Sequence, residues 1–562
     1  MTTLKPQPNY LPNYFWWIDV LFLSISLGCL FFILLGTRPL FVPDEGRYAE
    51  IIREMIASGN YITPHLNGIK YFEKPNLYYW LGSLAVYFNG LNLWSIRSVN
   101  AFLAILGCLF TYWVASRCYD RQTGLLAAFI LGTSSLYFVM AHMISLDLTI
   151  SVFIAISLYA FLLAYLESMN IKRKNYLFIA AASAAFAVLT KGLIGIIFPL
   201  LIIGLWFLCI RQWQVIKHLY LPFWIVVFLL IAAPWHLLIQ WYNPEFFNFY
   251  FVEQHFLRYT TNTAGHYQPI WYFIPILMIG FFPWVVFLPQ TLIKHLLTLR
   301  HKPLNGSTEI FFLLWIFCVF IFFSFSQSKL IPYILPLFPP LAILTARYLT
   351  GYKQHPIGIK IGYCSLALFS ILIAYLFYWY PNHTALPNPK LAIIYLTIAA
   401  CVLTIGNSIA CLFALRRLSA FSFVMIIITS SLFLLTSLAA MPSIDARSVH
   451  SLAQTLKPLL QTEDEVITYN QYYQDLPFYL ERRVSILNWQ NELSFGMQHQ
   501  DTKQWMLNDA KFWNRWNSHQ RIFVIMSLDE YHQFKIHYPT KPSYIIAKTI
   551  VNILISNRKE IG

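Results

Sequence analysis

Nine charged side chains lie between residues 44 and 74: the acids Asp44, Glu45, Glu50, Glu54 and Glu73, and the bases Arg47, Arg53, Lys70 and Lys74. The whole chain is only 11% charged. The segment opens Pro43-Asp44-Glu45-Gly46-Arg47, closes Tyr71-Phe72-Glu73-Lys74-Pro75, and follows the first apolar run directly. Ionisable groups gathered beside a bilayer boundary point to a polar substrate handled there. Asp44 and Glu45 are candidate catalytic carboxylates, although Asp44 reads equally as an N-terminal helix cap. Pro75 biases Lys74 towards extended backbone, so Glu73 and Lys74 project to different sides. Lys74 then suits a phosphate and Glu73 a metal or a sugar hydroxyl, against a plain solvated pair. Tyr71, Phe72, Tyr78, Tyr79 and Trp80 suit interfacial anchoring or sugar stacking.

Further candidates are scattered along the chain. Asp147, in His142-Met-Ile-Ser-Leu-Asp147, sits at the outer end of an apolar span, where an unpartnered carboxylate costs a few kcal/mol. A functional role is preferred there over a snorkelling end residue. His255 and Arg258 share a helix face at i, i+3. His255 with Glu73 makes a candidate metal pair that still needs partners from elsewhere. Ser328-Lys329-Leu330-Ile331-Pro332-Tyr333 marks an outer turn. Lys74, Lys191, Arg258 and Lys329, all at outer turns, together suit a diphosphate or lipid phosphate.

The elements that must position these groups are membrane helices. The chain has 562 residues, 58% hydrophobic and 18% aromatic, with a mean hydropathy of +0.56, which excludes an ordinary soluble domain. The run Phe15 to Leu35 is too long for a cleavable signal and reads as a retained span. Apolar runs of transmembrane length predict thirteen spans, near 15–36, 96–116, 122–140, 146–166, 176–190, 192–210, 219–241, 269–290, 309–327, 330–349, 358–379, 390–414 and 419–440. Every alternate turn is basic, including Lys172-Arg173-Lys174 and Arg416-Arg417, which puts the N-terminus in the cytoplasm. Of twelve acids before residue 441, eight then lie outside. The +15 charge is spread over these turns and reads as topology and anionic lipid; no nucleic-acid partner is expected. Eight cysteines within or beside spans show no CxxC spacing, so neither disulfide framework nor thiolate metal site is expected.

After the first span, Tyr48, Ile51, Ile52, Met55 and Ile56 recur at helical spacing and Gly59 is a natural stop. This predicts an amphipathic juxtamembrane helix with its apolar face in lipid. From residue 441 the composition turns polar. Glu465–Tyr469, Arg483–Leu487 and Arg521–Met526 read as short buried strands of a small α/β domain on the outer face. The expected organisation is a transmembrane domain, 1–440, whose first outer loop is 37–95, and a domain over 441–562. No P-loop or nucleotide-binding glycine pattern occurs, so no nucleotide cofactor is expected.

Asp-Glu after the first span, Tyr-Phe-Glu-Lys-Pro, an aspartate at the fourth span, Ser-Lys-Leu-x-x-Tyr and Gln474-Asp-Leu-Pro-Phe-Tyr-Leu480 together resemble the polyprenyl-phosphate-dependent glycosyltransferases of the C-type membrane fold. Within that group the chain is most similar to the bacterial lipid A aminoarabinose transferases, relatives of protein O-mannosyltransferases. Asp-Glu alone marks the broad fold; the Glu-Lys-Pro and Gln-Asp-Leu-Pro-Phe-Tyr-Leu segments are more specific. The resemblance implies transfer of 4-amino-4-deoxy-L-arabinose from undecaprenyl phosphate to a lipid A phosphate at the periplasmic face of the inner membrane. It implies Asp44 as the required carboxylate with Asp147 nearby, Glu73 and His255 on a zinc-like divalent metal, Lys74 and Arg258 at the donor phosphate, and Tyr333 lining the cavity. Lys329 and Tyr71 complete the expected substrate contacts. No separate nucleophile is evident, so inversion by single displacement is expected. The alternatives are another polyprenyl-linked sugar, a protein or glycan acceptor, or a flippase or transporter built on interrupted helices and an internal repeat.

Overall fold

The computed structural model describes residues 16–168, 170–211, 220–257, 267–301 and 307–559. Ten helices lead through the first half: α1 (Trp16–Phe32), α2 (Asp44–Ser58), α3 (Leu77–Asn89), α4 (Leu93–Cys118), α5 (Arg121–Gly132), α6 (Ser135–Ala141), α7 (Leu146–Leu166), α8 (Ile171–Lys191), α9 (Ile194–Ile210) and α10 (Leu221–Tyr242). Long apolar helices over Ser307–Phe325, Pro356–His383, Pro389–Leu415 and Ser419–Ile444 follow. Among the described residues seven helices are long and apolar enough to cross a membrane, or nine if each of two bent pairs is one span. The expected count of thirteen is therefore not established. Helix occupies all thirteen predicted stretches, but α1 and α9 have only 17 residues each, and others are charged at one end or broken.

The breaks have a physical cause. α5 and α6 meet at 66°, and Phe273–Gly280 meets Trp284–Leu299 at 109°. Backbone freed at a break inside a membrane needs partners from within the protein. Here each break serves the other: the Ser135 N–H and hydroxyl both donate to the Phe282 carbonyl, at 3.1 and 3.0 Å, and the Trp284 indole donates to Thr133 Oγ1 at 2.9 Å.

The first outer loop folds on itself. α2 ends at Gly59, whose φ of 69° terminates the helix in the left-handed region. A two-stranded hairpin, β1 (His65–Leu66) and β2 (Ile69–Lys70), precedes α3. The apolar face of α2 does not enter lipid as expected. Ile51, Ile52 and Met55 are buried against Tyr78 and Tyr79 of α3 and against the C-terminal domain, in one shared core with Leu476, Ile486 and Phe523. The C-terminal domain supplies apolar surface that the sequence pattern of α2 alone assigned to lipid.

That domain carries a six-stranded sheet in the order β5-β4-β3-β6-β8-β7, with β3 (Glu465–Tyr469), β4 (Ser485–Leu487), β5 (Met506–Leu507), β6 (Ile522–Ser527), β7 (Tyr544–Lys548) and β8 (Asn552–Ser556). β3 to β6 run parallel, and β8 is antiparallel to β6. The domain docks through specific pairs: Asn67 exchanges two hydrogen bonds with the Val484 backbone, and the Leu40 N–H donates to the Tyr479 hydroxyl at 2.8 Å. Gly46 permits a close approach. A Cβ there would stand 2.6 Å from the Asp475 backbone nitrogen.

Candidate active site

A cavity of about 270 Å³ opens among α7, α8, α9 and the turn after Ser307–Phe325. Its polar wall contains Lys74, Asp147, Ser151, Lys191, Gln254, Ser326, Ser328 and Tyr333; Ile150, Ile194, Ile197, Phe322 and Phe323 line the rest. Asp147 lies in the first turn of α7, where the Ser145 hydroxyl caps the helix by accepting from the Asp147 N–H at 3.1 Å. Lys191, the last residue of α8, pairs with Asp147, and its ammonium sits 4.7 Å from the centre of the Tyr333 ring. Carboxylate, ammonium and aromatic face therefore meet at one end of a largely apolar hollow.

The segment leading to Asp147 is held from three sides. Glu45 is fully buried and pairs with Arg38 and with Arg97, the latter through Nε at 2.9 Å. The same carboxylate accepts the N–H of Phe41 and of Ile144, both at 2.8 Å. Arg38 donates to the His142 carbonyl at 2.9 Å, and the Asn100 amide donates to the carbonyls of Met143 and Ser145. Burial alone would raise the pKa of Glu45, but Arg38 and Arg97 outweigh it and hold the group at about 2. Glu45, a carboxylate expected to be catalytic, is not among the residues that line the cavity. Its charge is spent on two guanidiniums, and its role is to fix the 142–146 turn.

Asp44, one residue earlier, points the other way. Its side chain is half exposed and lies 3.3 Å from Arg47. Asp44 and Asp147 both act electrostatically on the Tyr48 ring. Arg47 also pairs with Glu492 of the C-terminal domain. Burial raises the pKa of Glu492, Arg47 opposes, and Glu73 adds to the rise. Glu73 also acts on Tyr71 and Tyr79. Asp44, Glu73 and Glu492 therefore form a carboxylate rim around Arg47, beside the cavity that Lys74 and Asp147 line.

Two expected substrate contacts do not line that cavity. Lys329 is buried, and its ammonium donates to the carbonyls of Gln268 and Ser326, at 2.7 and 2.6 Å; it braces the turn that presents Ser328. Tyr71 is buried in the core shared by α2, α3 and the C-terminal domain, and its hydroxyl has no hydrogen-bond partner among the described residues. Arg258 and the His255 side chain lie outside the described residues. Among the described residues no group of three metal-ligating side chains comes together. Sequence reasoning passed over Arg38, Arg97 and Glu492. A usable signal existed for Arg97: an arginine inside the apolar stretch of α4 demands a buried carboxylate partner. No local pattern announced Glu492, which arrives from another domain.

The comparisons with known proteins fit this arrangement. Residues 16–250 match the family profile described as dolichyl-phosphate-mannose-protein mannosyltransferase, and residues 452–557 match the aminoarabinose transferase C-terminal domain. The undecaprenyl phosphate-alpha-4-amino-4-deoxy-L-arabinose arabinosyl transferase of Erwinia tasmaniensis is 28% identical over 92% of this chain and 94% of its own length. Over nearly its whole length the chain is similar to the aminoarabinose-transferase branch of the polyprenyl-phosphate-dependent glycosyltransferases. The Enterobacter member of the same name is 34% identical over 61% of each chain. The crystal structure of ArnT from Cupriavidus metallidurans bound to undecaprenyl phosphate superposes with a TM-score of 0.84 and 28% identity, over 97% of this chain and 99% of that one. The transferase branch thus accounts for both the membrane part and the sheet domain, and the chain is a multi-pass membrane protein.

Proposed function

We propose that the protein transfers 4-amino-4-deoxy-L-arabinose from undecaprenyl phosphate to a phosphate of lipid A, with the chamber and the C-terminal domain on the periplasmic side of the bacterial inner membrane and the N-terminus in the cytoplasm. The observation that carries this reading is the single hollow in which Lys74 and Lys191 meet Asp147 above an apolar floor. A polyprenyl-phosphate donor has that polarity, an anionic head on a hydrocarbon tail. As the bond between the anomeric carbon and the phosphate oxygen breaks, negative charge grows on the leaving phosphate, and preorganised ammonium groups stabilise it. Asp147 and Tyr333 hold Lys191 in place for that task. The acceptor phosphate is already anionic, so Asp44 at the rim acts on orientation or on positive character at the anomeric carbon rather than as a strong base. The new bond forms on the opposite face, with inversion.

The expected zinc-like metal remains a proposal: Glu73 would be one ligand and His255 another, and a bound divalent ion would add a Lewis acid beside the phosphate. The transporter alternative gains nothing from the two broken helix pairs. In transporters such breaks face the substrate, whereas neither break contributes a residue to the cavity wall.

Reconstituted protein supplied with undecaprenyl-linked aminoarabinose and lipid A tests the reading directly. Mass spectrometry should show lipid A gaining one aminoarabinose residue, and Asp44→Asn or Lys191→Met protein should lose the product. Unmodified lipid A with active handling of a different polyprenyl-linked sugar would replace the substrate assignment, and full transfer by Asp44→Asn would remove the mechanism.

A further inference from the structure

A second cavity, of about 340 Å³, lies in the C-terminal domain and is lined by Asn488, Trp489, Gln490, Asn508, Lys503 and Lys511, with Met497, Met506 and Leu507 beneath. Its volume falls in the roughly 300–1,000 Å³ range of small-molecule sites. Its place in the fold is also that of a binding site. Asn488 to Gln490 follow β4 immediately and Asn508 follows β5, so the cavity sits outside the carboxyl ends of two neighbouring parallel strands, where open α/β sheets bind ligands.

We propose that this cavity binds an anionic saccharide. Trp489 is half-buried, and its ring lies 5.5 Å from that of Tyr472. A fixed indole offers an apolar face to the C–H side of a pyranose and a donor at its edge. Side-chain amides both donate and accept, which matches sugar hydroxyls, and Asn488, Gln490 and Asn508 supply three. Asn508 Oδ1 already accepts the Lys511 N–H, and Asn488 donates to Asp509 at 2.8 Å, so these two amides are held in fixed orientation. Lys503 and Lys511 add the charge. Neither is in an ion pair among the described residues; the Lys511 ammonium donates only to the Lys503 carbonyl, at 2.8 Å. Two ammonium groups beside an aromatic platform favour a sugar bearing phosphate or carboxylate over a neutral one.

The cavity is tied to the chamber by one short segment. Beyond Trp489 and Gln490, Glu492 pairs with Arg47 at the carboxylate rim, Phe495 stacks on Phe249 at 3.9 Å, and Gly496 packs on Ile69 and Lys70. A saccharide held at Trp489 therefore lies on the same rigid stretch that shapes the rim. If the transfer proposed above is right, the saccharide part of a glycolipid acceptor is such a ligand, but binding itself does not depend on that reaction.

Saturation-transfer NMR on the full-length protein in detergent tests the site, with glucosamine 6-phosphate as probe and glucosamine and AMP as comparisons. Glucosamine 6-phosphate should receive saturation, and glucosamine about threefold less. The signal should fall about fivefold in Lys503→Gln/Lys511→Gln, whose surface substitutions leave folding intact, and in Trp489→Ala. No signal from the native protein, an undiminished signal in the lysine double variant, or stronger saturation of AMP would overturn the proposal. Transfer activity is scored separately: lost transfer with saccharide binding intact counts against the reaction, not against this site.

Discussion

Two adjacent carboxylates should fail in opposite ways when neutralised. Glu45→Gln removes the charge that two buried guanidiniums share, and Arg97 is fully excluded from solvent. Breaking a buried pair by deleting one partner typically costs about 3–5 kcal/mol. The pKa gives a separate figure: a fall from 4.5 to about 2 corresponds to about 3 kcal/mol. The two routes agree, so the variant should unfold several degrees below the native protein in detergent at neutral pH. The pH dependence has a definite sign. A depressed carboxylate stabilises above its unfolded pKa and loses that contribution as pH falls through its folded value. The gap between native and Glu45→Gln protein should therefore be full above about pH 4.5 and close towards pH 2. Asp44→Asn should do the reverse. Its half-exposed pair with Arg47 is worth about 0–1 kcal/mol, so the unfolding midpoint should hold while transfer drops roughly 100-fold or more. Thermal unfolding followed by tryptophan fluorescence, run beside the transfer assay on the same preparations, reads both effects. An unchanged midpoint in Glu45→Gln, or equal destabilisation by both variants, would refute the division of labour.

Other perturbations follow from the same geometry. Gly46→Ala would drive a methyl into the Asp475 backbone, an overpacking cost of about 1–3 kcal/mol. Limited proteolysis should then release the C-terminal domain faster than from native protein. Burial raises the Asp475 pKa to about 7 even though Ser448 and the Val449 N–H donate to it. Its neutral form is favoured in the fold, so native stability should decline by at most about 4 kcal/mol between pH 4 and pH 7 and then level. Asp475→Asn should flatten that slope in unfolding curves taken across the range. Lys191→Met should strand Asp147 without its partner, and stability should recover in the Lys191→Met/Asp147→Asn double variant while transfer does not. Exhaustive chelation followed by zinc readdition, with metal content measured by mass spectrometry, should show bound zinc that Glu73→Gln protein loses.

Much of this protein was legible before folding. Runs of apolar residues fix where helix must lie, because a bilayer leaves backbone groups no partner but their own segment. The polar tail betrayed β3, β4 and β6 by composition alone, and two of the residues singled out in the sequence, Lys74 and Asp147, line one cavity. What local sequence could not express was direction. Asp44 and Glu45 are chemically alike and adjacent, yet 100° of helical turn sends one to the rim and the other onto Arg38 and Arg97, which lie 7 and 52 residues away from it. Lys329 looked like its fellow outer lysines until the carbonyls of Ser326 and the distant Gln268 claimed its ammonium. The apolar face of α2 carried the pattern of a lipid-facing helix, since hydrophobicity alone does not distinguish hydrocarbon from a protein core; only the docked sheet domain decided between them. Composition and periodicity thus set the class, the spans and the list of reactive groups. Which of those groups share one chamber was decided by long-range ion pairs and by close packing at Gly46, contacts between residues that are strangers in sequence.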